Sequence, residues 1–242
     1  MMQIFSKRVQ DYITNQMSIC IDDLTNKILN DVPNSSYFFN DLFEYMMQLT
    51  IPYTYDYKNL PNNKKLRKYL NEKIYEFFEK NGFTANDKEY LIFDAICHCF
   101  INFKEDGILK MYKNRQPEFW YPKVIITKFI GMKEDIDELD NEVLIFRGTS
   151  QEEFNSSIFG QSWSLSKAVA NKFAFNTYKN IDHHKNTLRV ILSTTIKKDS
   201  ILFYDKNRKE YNGEAEVIID TKHLSKELVK IEEKQFLKDK VI

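Results

Sequence analysis

Glycine and proline are scarce: six and five residues in a chain of 242. Disordered or loop-dominated chains use more of both, so regular elements are expected to dominate here. Cysteine is scarcer still. Cys20, Cys97 and Cys99 are too few for a disulfide framework, and few thiols without a pairing pattern fit a reducing compartment. Cys97-His98-Cys99 looks metal-like, but neighbours one apart on a helix point in different directions and cannot close on one tetrahedral ion. His183-His184 shares that weakness and no second cluster completes a ligand set, so no metal is expected. A long apolar run is missing, which excludes a membrane-spanning helix. The segment Met1-Met2-Gln3-Ile4-Phe5-Ser6-Lys7-Arg8 lacks an apolar region and a small-residue cleavage site. A cytoplasmic location is therefore expected, with a leaderless secretion route left open. Charge of one sign is also missing, since 35 basic residues balance 35 acidic ones. A protein that grips nucleic acid through its phosphates shows a basic excess. The local run Lys64, Lys65, Arg67 and Lys68 reads as a solvated helix face.

Aromatic and apolar residues are abundant, with 19 Phe and 14 Tyr, enough to build a sizeable core. Phe77, Phe78, Tyr90, Phe93 and Phe100 are expected inside that core rather than around a ligand. The two halves differ in texture. Up to about residue 112 the periodicity is helical: Ile13, Met17, Ile21, Leu24 and Ile28 form one apolar stripe. Tyr37 to Leu49 reads as a second helix, with Asn34-Ser35-Ser36 offering an N-cap. Ile51-Pro52 and Leu60-Pro61-Asn62-Asn63 punctuate the next connection. A helix over 64–80 ends at Asn81-Gly82, and a buried helix spans 87–103. After Gln116-Pro117 strand-like runs take over: 124–126, 143–146, 188–196, 201–204 and 216–219, interrupted by one helix from Ser166 to about Phe175. The fold class is α+β, with a helical region over 1–116 and a mixed β domain over 117–242.

Three features carry chemistry. Arg147 follows the apolar run Val143-Leu144-Ile145-Phe146, where a strand is expected to end, and its planar fork suits phosphate oxygens. Gly148 behind it would let a ligand approach the backbone. Ser162 and Ser164 alternate with Trp163 and Leu165, placing two hydroxyls on one strand face, and Ser166 can cap the following helix. Glu214 and Glu216, at i and i+2 of an expected strand, would point the same way. Paired carboxylates beside a sugar carbon can stabilise an oxocarbenium-like centre and handle a nucleophile.

In that order, Phe146-Arg147-Gly148, Ser162-Trp163-Ser164-Leu165-Ser166 with Ala170, Phe173 and Ala174 behind it, and Glu214-Ala215-Glu216 resemble the mono-ADP-ribosyltransferases of the Arg–Ser–Glu class, which include bacterial toxins and related defence or phage enzymes. The resemblance covers roughly Val143 to Asp220. It implies a core of two packed sheets and NAD as substrate. It also implies transfer of ADP-ribose to a macromolecular acceptor, either a protein arginine or a nucleic-acid base. Arg147 would bind an NAD phosphate and the Gly148 backbone the nicotinamide amide. Ser164 would brace the glutamate, Ser166 would be the second serine of the triplet, and Phe173 would pack on the nicotinamide ring. The alternative frame starts at Ser162, with Trp163 in the middle. Glu216 would be the catalytic glutamate and Glu214 would orient the acceptor, leaning toward arginine. The loop 205–213 with Tyr211 would recognise the target. The N-terminal helices would target, regulate or bind an antitoxin or regulatory partner. Two other readings stand beside this one. The first is a non-catalytic partner-binding protein on the same fold. The second is an NAD-using phosphotransferase acting on RNA; it expects a further Arg/His set in the N-terminal part, which the sequence does not offer.

Overall fold

The computed structural model describes residues 4–50, 62–113, 125–128, 133–177, 186–204 and 215–237. Glu214, the loop 205–213 with Tyr211, His183-His184, Pro52, Pro61 and Val124 lie outside the described residues. The chain divides into two compact units, Met1–Thr127 and Lys128–Ile242.

Unit 1 is helical. Its main elements are α1 (Lys7–Asp11), α2 (Ile21–Asp31), α3 (Ser36–Gln48), α4 (Asn62–Lys80) and α5 (Glu89–Lys113). The apolar stripe through Ile13 and Ile28 does not form one helix. A π turn follows α1 over Tyr12–Gln16, Ser18 takes a left-handed φ of 54°, and α2 starts afresh. The break lets residues 18–20 pair with 125–127: Cys20 N–H donates to the Ile125 carbonyl and Thr127 N–H to that of Ser18. Ile126 therefore makes an isolated bridge with Ile19, where the sequence implied a strand. Ser35 precedes α3, but its hydroxyl donates to Glu89 at 2.5 Å rather than capping the helix. Gly82, with φ of 85°, ends α4 in the left-handed cap that glycine favours. Helix α5 runs ten residues past Phe103, through a kink at Asp106 and Gly107.

The core of unit 1 is aromatic. Phe78 stacks on Phe93 with ring centroids 4.0 Å apart and on Phe83 at 5.3 Å, while Phe38 meets Phe83 at 4.6 Å. Phe38, Phe78 and Phe93 are all buried, and offset or edge geometries of this kind add about 1 kcal/mol per pair beyond burial.

Unit 2 holds α6 (Lys133–Asp137), β1 (Glu142–Ser150), α7 (Gln151–Ser156), β2 (Ser162–Ser164), α8 (Lys167–Lys172), β3 (Thr187–Lys197), β4 (Ile201–Tyr204), β5 (Glu216–Ile219) and β6 (Lys230–Leu237). The strands form one antiparallel sheet ordered β4-β5-β2-β1-β3-β6. Among the described residues the strands thus make a single ladder. That ladder is uneven: β1 and β3 pair over nine positions, whereas β1 and β2 pair only at Phe146↔Ser164.

One face of the sheet buries Val143, Ile145, Trp163, Val190, Leu192, Val217 and Ile219 in a single cluster. The other face carries Ala170 and Ala174, from α8 and the π turn Phe173–Thr177 that follows it, packed on Ile191, Phe146 and Phe175. Gly148 makes this close packing possible. A Cβ there would collide with the Ala170 carbonyl oxygen and lie 2.5 Å from the Ala174 nitrogen. On the side where a Cβ would stand, Gly148 faces helix backbone.

Candidate functional site

Register places the serines and the glutamate in one row. Ser193, Phe146, Ser164 and Glu216 are successive partners across β3, β1, β2 and β5. Partners in an antiparallel ladder project to the same face. Ser162, two residues from Ser164, shares that face. The Ser162 hydroxyl donates to Glu216 Oε1 at 2.5 Å. Ser164, buried, accepts at Oγ from the Ser166 backbone N–H at 3.0 Å. Ser166 caps α8 by accepting from Val169 N–H at 3.4 Å. Within this geometry Ser162 holds the carboxylate, Ser164 shapes the turn and Ser166 starts the helix.

Glu216 is half-buried and opens β5. The residue before it, Ala215, has φ of 40°, a left-handed conformation that costs a non-glycine residue energy and tends to occur at functional sites. The Leu165 backbone N–H donates to the Ala215 carbonyl at 3.1 Å and fastens this bend to the end of β2. Strand alternation therefore stops at Glu216.

Arg147 is not at a strand end; it is the sixth residue of β1. Its ladder partner is Leu192, which belongs to the core opposite the serine face, so its side chain leaves the sheet on the far side from Glu216. There it meets Glu153 of α7 in a two-point ion pair. Nε donates to Oε1 at 2.6 Å and Nη2 to Oε2 at 3.0 Å. Both side chains are nearly buried, at 10% and 5% exposure. Glu153 also accepts from Thr149 Oγ1 at 2.9 Å and from the Gly160 N–H at 3.0 Å. A buried pair satisfied on all sides escapes most of the penalty of an isolated charge. The remaining guanidinium nitrogen, Nη1, donates to the Ser162 carbonyl at 2.6 Å.

Glu153 was missed in the sequence, although Ser150-Gln151-Glu152-Glu153 has the spacing of a capping box. The Ser150 half forms, accepting from the Glu153 N–H at 3.2 Å, while the Glu153 carboxylate turns to Arg147. Arg189 was missed as well. It lies buried in β3 and donates from Nε to the Ala174 carbonyl at 3.1 Å. A charged residue inside the run Leu188-Arg189-Val190-Ile191-Leu192 was the available signal. Phe173 is half-buried and opens the π turn after α8, a geometry frequent at functional sites.

Other chemistry is weakly represented. Burial pushes the Cys97 thiol well up and that of Cys99 to about 12, so neither is a thiolate nucleophile near neutrality. No group of three or more metal-ligating side chains occurs among the described residues. No described helix is long and apolar enough to cross a membrane. No protein-family model, no curated protein and no solved structure matches this chain.

Proposed function

We propose that unit 2 is an NAD-dependent mono-ADP-ribosyltransferase domain that cleaves the nicotinamide glycosidic bond and passes ADP-ribose to a macromolecular acceptor, a protein arginine or a nucleic-acid base. The observation that carries this reading is the 2.5 Å bond from Ser162 to Glu216 on paired strands, beside the left-handed Ala215. Nicotinamide leaves NAD as a neutral base and its ribose carbon turns cationic. A carboxylate fixed next to that carbon lowers the energy of the cation, provided it does not rotate away. Ser162 supplies the fixation. The single β1–β2 pair supports the reading further, since it leaves a three-strand half β4-β5-β2 that carries Ser162 and Glu216 and a three-strand half β1-β3-β6 that carries Arg147. The reading takes these as the two parts of a split catalytic core.

The test is incubation of the full chain with labelled NAD, with and without cell lysate, beside Glu216→Gln. Free nicotinamide and label on protein and nucleic acid are both measured. The variant should lose roughly 100-fold or more in nicotinamide release, the scale of removing one group that stabilises transition-state charge. Equal release by the two chains would sink the reading.

One observation favours a second reading, a non-catalytic partner-binding protein. Arg147 is committed to Glu153 and the Ser162 carbonyl rather than poised toward a ligand. In that case a folded chain binds no NAD by calorimetry and releases no nicotinamide.

A further inference from the structure

We propose that Arg147, Glu153 and Ser162 form a clasp that sets the position of Glu216, so that Arg147 and Glu153 are positioning residues rather than phosphate ligands. The inference rests on the proposed activity for one of its two tests only. It starts from the gap in the sheet. After Phe146↔Ser164 the antiparallel register would oppose Arg147 to Trp163 and then Gly148 to Ser162, and neither pair is formed. Where β1 and β2 part, the Arg147 guanidinium takes over and donates from Nη1 to the Ser162 carbonyl at 2.6 Å. Its direction is fixed from behind. Glu153 grips Nε and Nη2, and is itself held by Thr149 Oγ1 and the Gly160 N–H. Gly160 is a fitted neighbour, since a Cβ there would lie 2.8 Å from Arg147 Cζ and closer still to Nη2.

The chain of contacts then crosses the sheet. Arg147 pulls on the backbone of Ser162 from one face, and the Ser162 hydroxyl leaves on the other face to reach Glu216. A shift of β2 by a fraction of an ångström moves that hydroxyl and the carboxylate with it. At the other end of this three-residue strand, the Leu165 N–H bond to the Ala215 carbonyl ties β2 to the bend before Glu216. An arginine with Nε and both terminal nitrogens engaged has little left to offer a diphosphate.

The experiment compares Arg147→Lys and Glu153→Gln in the full chain, with two readouts. In the first, both variants should lower kcat for nicotinamide release by about 10- to 100-fold, the cost of a small misplacement. The KM for NAD should move less than about 3-fold, because ground-state binding is retained. An Arg147→Lys chain whose KM rises more than its kcat falls, or a Glu153→Gln chain that behaves as wild type, would overturn the clasp. In the second readout, exchange of the Leu165 amide proton should speed up by about 10-fold or more in both variants, as the end of β2 loosens. Unchanged exchange would overturn it. If the wild-type chain releases no nicotinamide, the proposed activity fails and amide exchange alone decides the clasp. Should Glu153→Gln not fold by circular dichroism, Thr149→Val removes a single hydroxyl from the carboxylate and should shift both readouts the same way, by less.

Discussion

The two units bury polar atoms differently. In unit 1 the buried polar side chains among the described residues are Ser18, Ser36 and Asn102, none of them charged. In unit 2 they are Asp135, Thr149, Glu153, Gln161, Ser164, Arg189, Ser193 and Thr194. The two-point ion pair of unit 1, Arg67 with Glu105, buries its carboxylate to 6% exposure but keeps its arginine 38% exposed, whereas both partners of the Arg147–Glu153 pair are nearly buried, at 10% and 5%. Burying polar and charged groups costs free energy that apolar residues of the same size would not. A unit that accepts this cost in a connected set fixes a geometry. A unit that avoids it is stabilised by packing. The contrast is the one expected if the proposed activity is seated in unit 2.

Deletion in the aromatic core should break unit 1 hardest. Phe78 is buried, and its ring meets those of Phe38, Phe83, Tyr90 and Phe93 at centroid distances of 4.0 to 6.0 Å. Phe78→Ala should cost about 3–5 kcal/mol, the range for a large aromatic whose cavity cannot collapse. Denaturant unfolding and amide exchange in α3, α4 and α5 would measure it. A loss below about 1 kcal/mol would mean that the stacked rings do not hold the helices together.

In unit 2 the sensitive spot is a contact rather than a cavity. Gly148→Ala puts a methyl group against the Ala170 carbonyl and the Ala174 nitrogen, backbone atoms that cannot rotate aside. The expected loss is about 3 kcal/mol, the upper range for overpacking, read as faster amide exchange in α8 and β1. Full stability would show that α8 can ride up off the sheet, and would reopen the space beside Gly148 to a ligand.

The sequence exposed the elements whose burial is one-sided or complete. The end of α4 at Asn81-Gly82, the apolar β5 and the Ser166 cap of α8 could all be read directly. Strand β6 could not. Its residues Lys230-Ile231-Glu232-Glu233-Lys234-Gln235 are largely exposed, and an edge strand of alternating charge carries no apolar period. The breaks at Ser18 and Ala215 were hidden for a different reason, since neither residue type announces a left-handed conformation. At the site, residue types were legible and faces were not. Val143, Ile145 and Arg147 share a parity that puts the arginine with the core, yet only the β1–β2 and β2–β5 registers show that Glu216 lies on the opposite side. The partnership of Arg147 with Glu153 depends on how α7 folds back over β1, which no local pattern encodes.

The smallest expected effect sharpens the comparison most. Tyr12, at the start of the π turn, is buried and its hydroxyl has no hydrogen-bond partner among the described residues. Unit 1 thus tolerates one polar atom unsatisfied, where the buried Glu153 of unit 2 is bonded on every side. Burial pushes the Tyr12 phenol up from 10.0 to about 12. A group whose folded pKa is raised stabilises the fold fully below its unfolded pKa, and that contribution disappears as pH climbs toward the folded value. The loss should fall between pH 10.0 and about 12 and amount to no more than about 3 kcal/mol. Tyr12→Phe removes the hydroxyl without changing the ring's contacts with Phe100 and Phe103. At neutral pH it should be neutral or stabilising by up to about 1 kcal/mol, because an unsatisfied buried group is deleted. The informative quantity is the difference between the two chains' stability curves from about pH 9 to 12. A difference that widens with pH locates the alkaline weakness in this one hydroxyl. Parallel curves would mean that water reaches this hydroxyl and solvates the phenolate, so that burial does not raise its pKa.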